Sequence, residues 1–419
     1  MNRFTLALGS NLGEPVEQLG RALGELNSLG RVVEVAPVFE TPPLLPPKAP
    51  PEWYRFFANS AVILETALSA AELLIRTQDI EKRLGRVAAR EKWSPRPLDI
   101  DILWTDPVHE LTTDRLRLPH PEWSKRSFVL APLLHLSPPA GLSENILTLA
   151  RATKNLPPAL MAVLNVTPDS FSHAEGDADF ESQLAQFDSL LARHPAFVDV
   201  GAESTRPGAT PISPEEEWSR LAPVLEHWKN VRARFPFTRL SLDTYHPETA
   251  RRALDYDVAV LNDVSHLQSP AMRELVPHFE AVVLMHSLTV PADRHVTWAT
   301  STDVIAELKN WFTARMDTLH LDSQRVIFDP GVGFGKTPLQ SLEILQRFDE
   351  LDLPVRRLVG HSRKSFMTSW VNTPSAERDV ETLGASLVLA AKNVEILRVH
   401  NLDWHQRALR AQSAIGAPP

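Results

Sequence analysis

Eight short apolar runs between residues 160 and 400, each ending in polar, chemically capable residues, predict an α/β (β/α)8 TIM barrel. A separate strand and helix pattern ahead of them predicts an α+β ferredoxin-like N-terminal domain. The eight runs cover residues 160–166, 197–200, 240–242, 258–261, 281–285, 326–328, 357–359 and 395–399. At or just after their ends stand Asn165, Glu203, Asp243, Asn262, His286, Asp329, Lys364 and His400. Stretches long enough for a helix lie between them, several opened by caps such as Ser213-Pro214 and Thr337-Pro338. In a barrel of this kind the reactive groups gather at the C-terminal ends of the strands, so the pattern locates a site before it names a reaction.

A chain of 419 residues exceeds one ordinary core. The expected division is a domain at 1–140, a linker at 141–158 and the barrel at 159–419, about 260 residues being typical of that fold. With 43% hydrophobic and 23% charged residues there is material for a sizeable soluble core. The net charge of −9 argues against a nucleic-acid binder, which would carry a basic footprint. Phosphorylated small molecules stay open as substrates, because a few Arg and Lys residues can dominate a cleft. The absence of cysteine excludes disulfides and thiolate chemistry. No signal, transit or membrane-spanning pattern is seen, and the cytoplasm is the expected compartment.

Within the first domain the expected order is strand 4–8, a loop Gly9-Ser10-Asn11-Leu12-Gly13, helix 15–29 and strand 32–39. A proline-rich loop over 41–51 follows, which suits neither helix nor central strand and reads either as a lid or as a surface connection. Strand 57–64, helix 69–84, a basic loop 86–96 and strand 98–104 complete the pattern. The motifs Ser137-Pro138-Pro139 and Leu156-Pro157-Pro158 bracket the connection to the barrel. The 35 prolines cluster at such joints, which predicts stiff coupling.

The densest chemistry lies at 85–103. Asp99 and Asp101 sit two apart on a strand, so both carboxylates share one face while Ile100 and Ile102 fill the other. Such a pair suits Mg²⁺ bridging to phosphates, and Arg86, Arg90, Lys92 and Arg96 could neutralise phosphate charge. Spacing alone fits equally well an edge strand with a solvated acidic face beside a charged loop.

That segment, with 8–13, Thr41-Pro42-Pro43, Asn59 and Leu118-Pro119-His120-Pro121 followed by Arg126, resembles 6-hydroxymethyl-7,8-dihydropterin pyrophosphokinase over nearly the whole domain. The resemblance implies that Asp99 and Asp101 hold Mg²⁺ ions bridging ATP, the co-substrate. It implies that Arg86 and Arg96 contact phosphates during transfer, that His120 and Arg126 bind ATP, and that Asn59 reads the pterin with Trp93 closing over it. Leu45 and Ala88 depart from the family pattern and bear on loop mobility and rate.

In the barrel, Asp329-Pro330-Gly331-Val332-Gly333-Phe334-Gly335-Lys336-Thr337 is no phosphate loop, because Pro330 stands where the Walker pattern needs glycine. Read by role, Asp243, Asn262 and Asp329 suit the N–H donors and carbonyl of a heteroaromatic ring. Asn165, Arg206, Arg398 and His400 suit an anion, and Ser362-Arg363-Lys364-Ser365 falls where barrels often bind charged substrate. A lone strand-end Asp is as readily a helix cap, and His286 as readily a packed histidine as a ligand.

These positions, with the stretch from Leu164 to Ser172, Glu203-Ser204-Thr205-Arg206-Pro207-Gly208, Leu242-Asp243-Thr244 and Arg398-Val399-His400, resemble dihydropteroate synthase across the whole barrel. The resemblance implies condensation of 4-aminobenzoate with a dihydropterin pyrophosphate. Asn165 with Mg²⁺, Arg398 and His400 would hold the departing pyrophosphate, with Thr205 and Arg206 assisting. Asp243, Asn262, Asp329 and Lys364 would orient the pterin, and Phe171, Pro207, Phe334 and Ser365 would form the aminobenzoate cleft. Lys364 and Arg398 would be the catalytic pair. His173-Ala174-Glu175, Ala202 and Ser287 depart from the family pattern. A two-step folate enzyme is expected, with a homodimer through the barrel as an analogy. The rivals are a scaffold role for the first domain and a methyl-transferring pterin barrel, against which the intact Asp99, Asp101, Arg96 and His120 and the 362–365 motif argue.

Overall fold

The computed structural model describes residues 1–87, 91, 93–139, 141–167, 177–203, 210–293 and 295–416. They fall into two compact units, Met1–Pro157 with Arg407–Pro419, and Pro158–Gln406.

The first unit runs β1 (Asn2–Ser10), α1 (Pro15–Asn27), β2 (Arg31–Val35), β3 (Phe39–Thr41), β4 (Phe57–Thr66), α2 (Ala70–Arg83) and β5 (Asp99–Asp106). Short strands β6 (Leu111–Thr112) and β7 (Arg117–Leu118) and helices α3 (Ser127–Leu133) and α4 (Ser143–Ala152) follow. The antiparallel sheet has the order β2-β4-β1-β5, with β3 extending the pairing of β4. Setting β3 aside, two strand–helix–strand units interleave so that the first and third long strands are central, which is the expected ferredoxin-like arrangement. The strand expected over 32–39 is two strands, because Pro37 has no N–H to give the ladder. Helix α1 starts on Pro15 and buries Leu19, Ala22, Leu23 and Leu26, a stripe at spacings of three and four. Helix α2 opens with a reciprocal cap between Ser69 and Glu72. Residues 143–152, inside the stretch expected to link the domains, form α4, which packs on α3 and buries Ile146, Leu147 and Ala150.

The second unit carries β8 (Ala159–Asn165), α5 (Asp177–Leu191), β9 (Phe197–Gly201), α6 (Pro214–Val231), β10 (Arg239–Asp243), α7 (Pro247–Ala253), β11 (Val260–Asp263) and α8 (Pro270–Arg273). It continues with β12 (Ala281–Met285), α9 (Val304–Leu319), β13 (Val326–Asp329), α10 (Pro338–Gln346), β14 (Arg356–Val359), α11 (Asp379–Ala391), β15 (Ile396–Val399) and the start of α12 (Leu402–Gly416), whose residues from Arg407 group with the first unit. All eight expected runs are strands, and β8 to β15 close into one parallel barrel in chain order. Register then aligns the rim: Asn165 pairs with Gly201, Gly201 with Asp243, and Asp243 with Asn262. Four strand ends thus stand side by side where a ligand would sit. No helix among the described residues is long and apolar enough to cross a membrane.

Near the N-terminal ends of β14 and β15 lies a buried ion pair. Arg357 and Glu395 have side chains 2% and 0% exposed, with Nε to Oε2 at 2.9 Å and Nη2 to Oε1 at 3.1 Å. Two further guanidinium hydrogens go to the carbonyls of Leu351 and Asn393, and the two opposite charges face each other. This end of a barrel serves stability rather than chemistry. Breaking the pair from one side strands a buried charge. Arg357→Met is therefore expected to lower barrel stability in urea by about 3–5 kcal/mol, and Arg357→Met with Glu395→Met to recover most of it. A single variant as stable as the parent would show that the pair contributes nothing.

Candidate functional site

In the first unit β5 places its alternate residues as the spacing requires: Ile100 and Ile102 are buried, and Asp99 and Asp101 emerge on the other face. Asp99 is held from two sides, accepting from Arg86 Nη1 at 2.7 Å and from Arg96 Nη1 at 3.0 Å. Arg86 is also ion-paired to Glu81 of α2, whose Oε1 accepts the Ile100 N–H at 2.8 Å. Burial pushes the Glu81 carboxyl up to about 7. Asp101 is raised as well, first by withdrawal from water and then by the charge of Asp99, with Arg126 Nη1 at 3.8 Å opposing. The basic loop is pinned by Asn11, which donates its N–H to Arg96 O at 3.1 Å and accepts the Arg96 N–H on Oδ1 at 2.7 Å.

Around this pair stand the other expected residues. Asn59 is buried on β4, its amide donating to Thr41 Oγ1 at 2.9 Å. His120 is tied by its N–H to Leu103 O at 2.7 Å, which sets it beside β5. Arg126 precedes α3 with its guanidinium 5.7 Å from the Phe128 ring centre. Trp93 is exposed on a left-handed backbone of φ 78°. Arg90 and Lys92 lie outside the described residues.

At the mouth of the barrel one guanidinium organises the polar groups. Arg398 reaches Asp199 Oδ2 at 3.2 Å and Asp329 Oδ2 at 3.1 Å. Asp199 also accepts from Ser241 Oγ at 2.6 Å and from Asn262 Nδ2 at 2.9 Å, which aims the Asn262 amide. Asp329 takes the Gly331 N–H at 2.8 Å and so shapes the glycine loop. Gly331 has φ 62°, and a Cβ there would come within 1.9 Å of His286 O, so only glycine fits. Lys364 Nζ donates to Val332 O at 2.5 Å and sits 4.5 Å from the Phe334 ring centre. Burial draws its ammonium down to about 7, against the attraction of Asp329. Asp243 is held well above the carboxylate range, first by burial and then by the charge of Asp199, and its Oδ1 is buried without a hydrogen-bond partner.

His400 Nδ1 lies 2.9 Å from Ser362 Oγ, which fixes the ring. Asn165 is exposed at the end of β8, and Ser365 is exposed just after Lys364. His286 is a packed histidine, 1% exposed between Trp298 and Trp311 with its Nδ1 2.8 Å from Lys336 Nζ. Phe171, Thr205, Arg206 and Pro207 lie outside the described residues. Sequence reasoning passed over Asp199, although a charged residue inside the apolar run 197–200 was the available signal. It also passed over Glu81, for which only the folded partners give a role, and it named Ser362 within the 362–365 motif without giving it a role of its own.

Two family models cover the chain: 7,8-dihydro-6-hydroxymethylpterin-pyrophosphokinase over residues 5–138 and pterin binding enzyme over 161–400. The folate synthesis bifunctional protein of Chlamydia trachomatis is 34% identical over 99% of this chain and 98% of its own length. The chain belongs to the bifunctional folate synthesis family. Among solved structures, Xanthomonas albilineans dihydropteroate synthase with 4-aminobenzoic acid is 32% identical, covering 63% of this chain and 95% of its own at a TM-score of 0.57. The Anaplasma phagocytophilum synthase with bound 6-hydroxymethylpterin-monophosphate is also 32% identical, over 62% of this chain and 99% of its own, at 0.55. As a bifunctional folate synthesis enzyme the chain performs two transfers in sequence. Pyrophosphate passes from ATP to 6-hydroxymethyl-7,8-dihydropterin, and 4-aminobenzoate then displaces it to give 7,8-dihydropteroate.

Lys364 makes a pH test available in the ligand-free enzyme. Between about 7 and the ordinary lysine value the unfolded chain holds a proton that the folded chain lacks. Stability from this group therefore rises with pH across that window, the reverse of a salt-bridged lysine. Urea midpoints at pH 7 and 9 should show the parent gaining on Lys364→Met as pH rises. A constant difference would remove the depressed ammonium.

Proposed function

We propose that the two reactions are carried by separate constellations, the first step by residues 1–140 and the second by 159–419, joined through 141–158. In the first, Asp99 and Asp101 offer a hard, crowded carboxylate pair whose mutual repulsion a divalent cation relieves, so the donors fit Mg²⁺. Bound there, Mg²⁺ would supply charge neutralisation at the ATP phosphates. Arg86 and Arg96 rest on Asp99 and are within reach of the same place, suited to take up phosphate charge as it develops during transfer. His120 and Arg126 would bind ATP, Asn59 would read the pterin, and Trp93 would close over it, roles that rest on the family motifs.

In the second, the observation that carries the reading is the buried, unpartnered Oδ1 of Asp243. An acceptor sealed from water without a donor is costly, and the ring N–H of a pterin supplies one. Asn262, Asp329 and Lys364 would complete the contacts to the ring. Arg398 and His400, with Asn165, Thr205 and Arg206, would hold the pyrophosphate as its C–O bond breaks. The 4-aminobenzoate nitrogen forms the new C–N bond and loses a proton, in a cleft of Phe171, Pro207, Phe334 and Ser365. No nucleophilic side chain is needed, since the dihydropterin ring shares the positive charge that develops at the methylene. Asn165 offers only one neutral oxygen, so Mg²⁺ at this site would be held as much by pyrophosphate as by protein. The cytoplasm is the default compartment for this reading, and a homodimer through the barrel rests on analogy with the family's barrels.

A coupled assay with ATP, Mg²⁺, hydroxymethyldihydropterin and 4-aminobenzoate separates the two sites. Asp99→Asn should reduce AMP formation by about a hundredfold or more while supplied dihydropterin pyrophosphate still gives dihydropteroate. Asp243→Asn or Arg398→Met should do the reverse by a similar factor. Loss of both steps from any one of these changes would contradict independent sites.

A further inference from the structure

We propose that Asp379 is a positioning residue for the second reaction: it touches no substrate but holds Arg363 and Asn401, and through them sets Ser362, Lys364 and His400. The inference rests on the pterin and pyrophosphate roles given above to Lys364 and His400. The two turns concerned leave neighbouring strands, 360–365 after β14 and 400–401 after β15. Asp379 is the first residue of α11, the helix between them in the chain. Its carboxylate takes Arg363 as a fork, with Nε to Oδ1 at 2.6 Å and Nη2 to Oδ2 at 2.9 Å. Oδ2 also accepts from Asn401 Nδ2 at 2.9 Å. One side chain, 14% exposed, thus ties both turns to the same helix end.

The second observation is the backbone of Arg363, which stands in the left-handed region at φ 58°. A residue with a side chain enters that region at a cost and stays only where its surroundings fix it. Here its N–H donates to Thr382 Oγ1 at 3.0 Å, and its carbonyl accepts from Ser375 Oγ at 3.0 Å and Arg378 Nη1 at 3.4 Å. The turn sends its two neighbours different ways. Ser362 Oγ accepts the His400 N–H at 3.3 Å and lies 2.9 Å from His400 Nδ1. Lys364 reaches across to Val332 O and the Phe334 ring. With its guanidinium committed to Asp379, Arg363 serves the 362–365 motif as a brace, and Lys364 is the cation offered to substrate. The second turn is equally stiff: Asn401 Oδ1 accepts the Trp404 N–H at 3.2 Å, and Asn401 O lies 2.6 Å from His405 Nδ1. Removing the carboxylate would release both turns at once, and displacing reacting groups by about 1 Å can cost about a hundredfold in rate.

The full-length enzyme carries its own control, because the first reaction uses none of these groups. With supplied dihydropterin pyrophosphate and 4-aminobenzoate, Asp379→Ala should lower kcat/KM for dihydropteroate about tenfold or more, while AMP formation in the first step is unchanged. In a His400→Ala background the same change should cost at least about threefold less than in the parent, because one group it sets is already gone. Asn401→Ala, which keeps the Arg363 pair, should cost less than Asp379→Ala and couple to His400→Ala in the same sense, and it serves alone if Asp379→Ala does not fold. Asp379→Glu should recover part of the rate. An unchanged kcat/KM in both Asp379→Ala and Asn401→Ala would overturn the proposal, as would equal factors in the two backgrounds, the mark of a merely structural role. If His400→Ala alone left dihydropteroate formation intact, the reading of His400 would fail first and the inference with it.

Discussion

Arg398 bridges two carboxylates that reach the barrel mouth from β9 and β13, and the polar order of that mouth hangs on this bridge. Asp199, Asp243 and Asp329 crowd together in a space from which water is largely withdrawn. Without a fixed cation nothing would balance their mutual repulsion or hold their oxygens in place. With it, Asp199 can aim Asn262 and Ser241, and Asp329 can set the turn at Gly331. Room for the guanidinium is itself built in. A Cβ at position 360 would lie 2.7 Å from Arg398 Nη2, so Gly360 keeps the path clear.

The first unit uses the same device on a more open surface. Arg86 and Arg96 neutralise Asp99 in the absence of substrate, much as Arg398 neutralises Asp199 and Asp329. In both places a guanidinium rests on a carboxylate beside the position assigned to a polyphosphate. Pairing of this kind keeps the arginines oriented before substrate arrives, which limits reorganisation during the reaction.

The barrel was legible because parallel strands buried on both faces appear as mostly apolar runs, and eight such runs recur at helix-length intervals. The acid pair on β5 was legible because a period of two is a strand's own rule. The N-terminal strand 32–39 was misjudged at Pro37, although the missing N–H was there to be read. What sequence could not show were pairings across the barrel. Asp199 and Arg398 are too far apart in the chain for any local pattern to join them, and Arg357 and Glu395 sat unremarked inside runs taken as apolar strands. His286 illustrates a different limit: its position at a strand end suited a ligand as well as packing, and only the flanking Trp298 and Trp311 decide between them.

The reciprocal backbone and side-chain bonds between Asn11 and Arg96 join segments 85 residues apart. The basic loop therefore cannot take its final shape from its own neighbours. It must wait until β5, late in this unit, has docked against β1, the first strand made. Contacts of such long sequence separation form late, after the loop-closure entropy has been overcome. The arginine suited to meet phosphate is thus among the last parts of the unit to be set, so a partly folded first unit would possess its sheet before it possessed its chemistry.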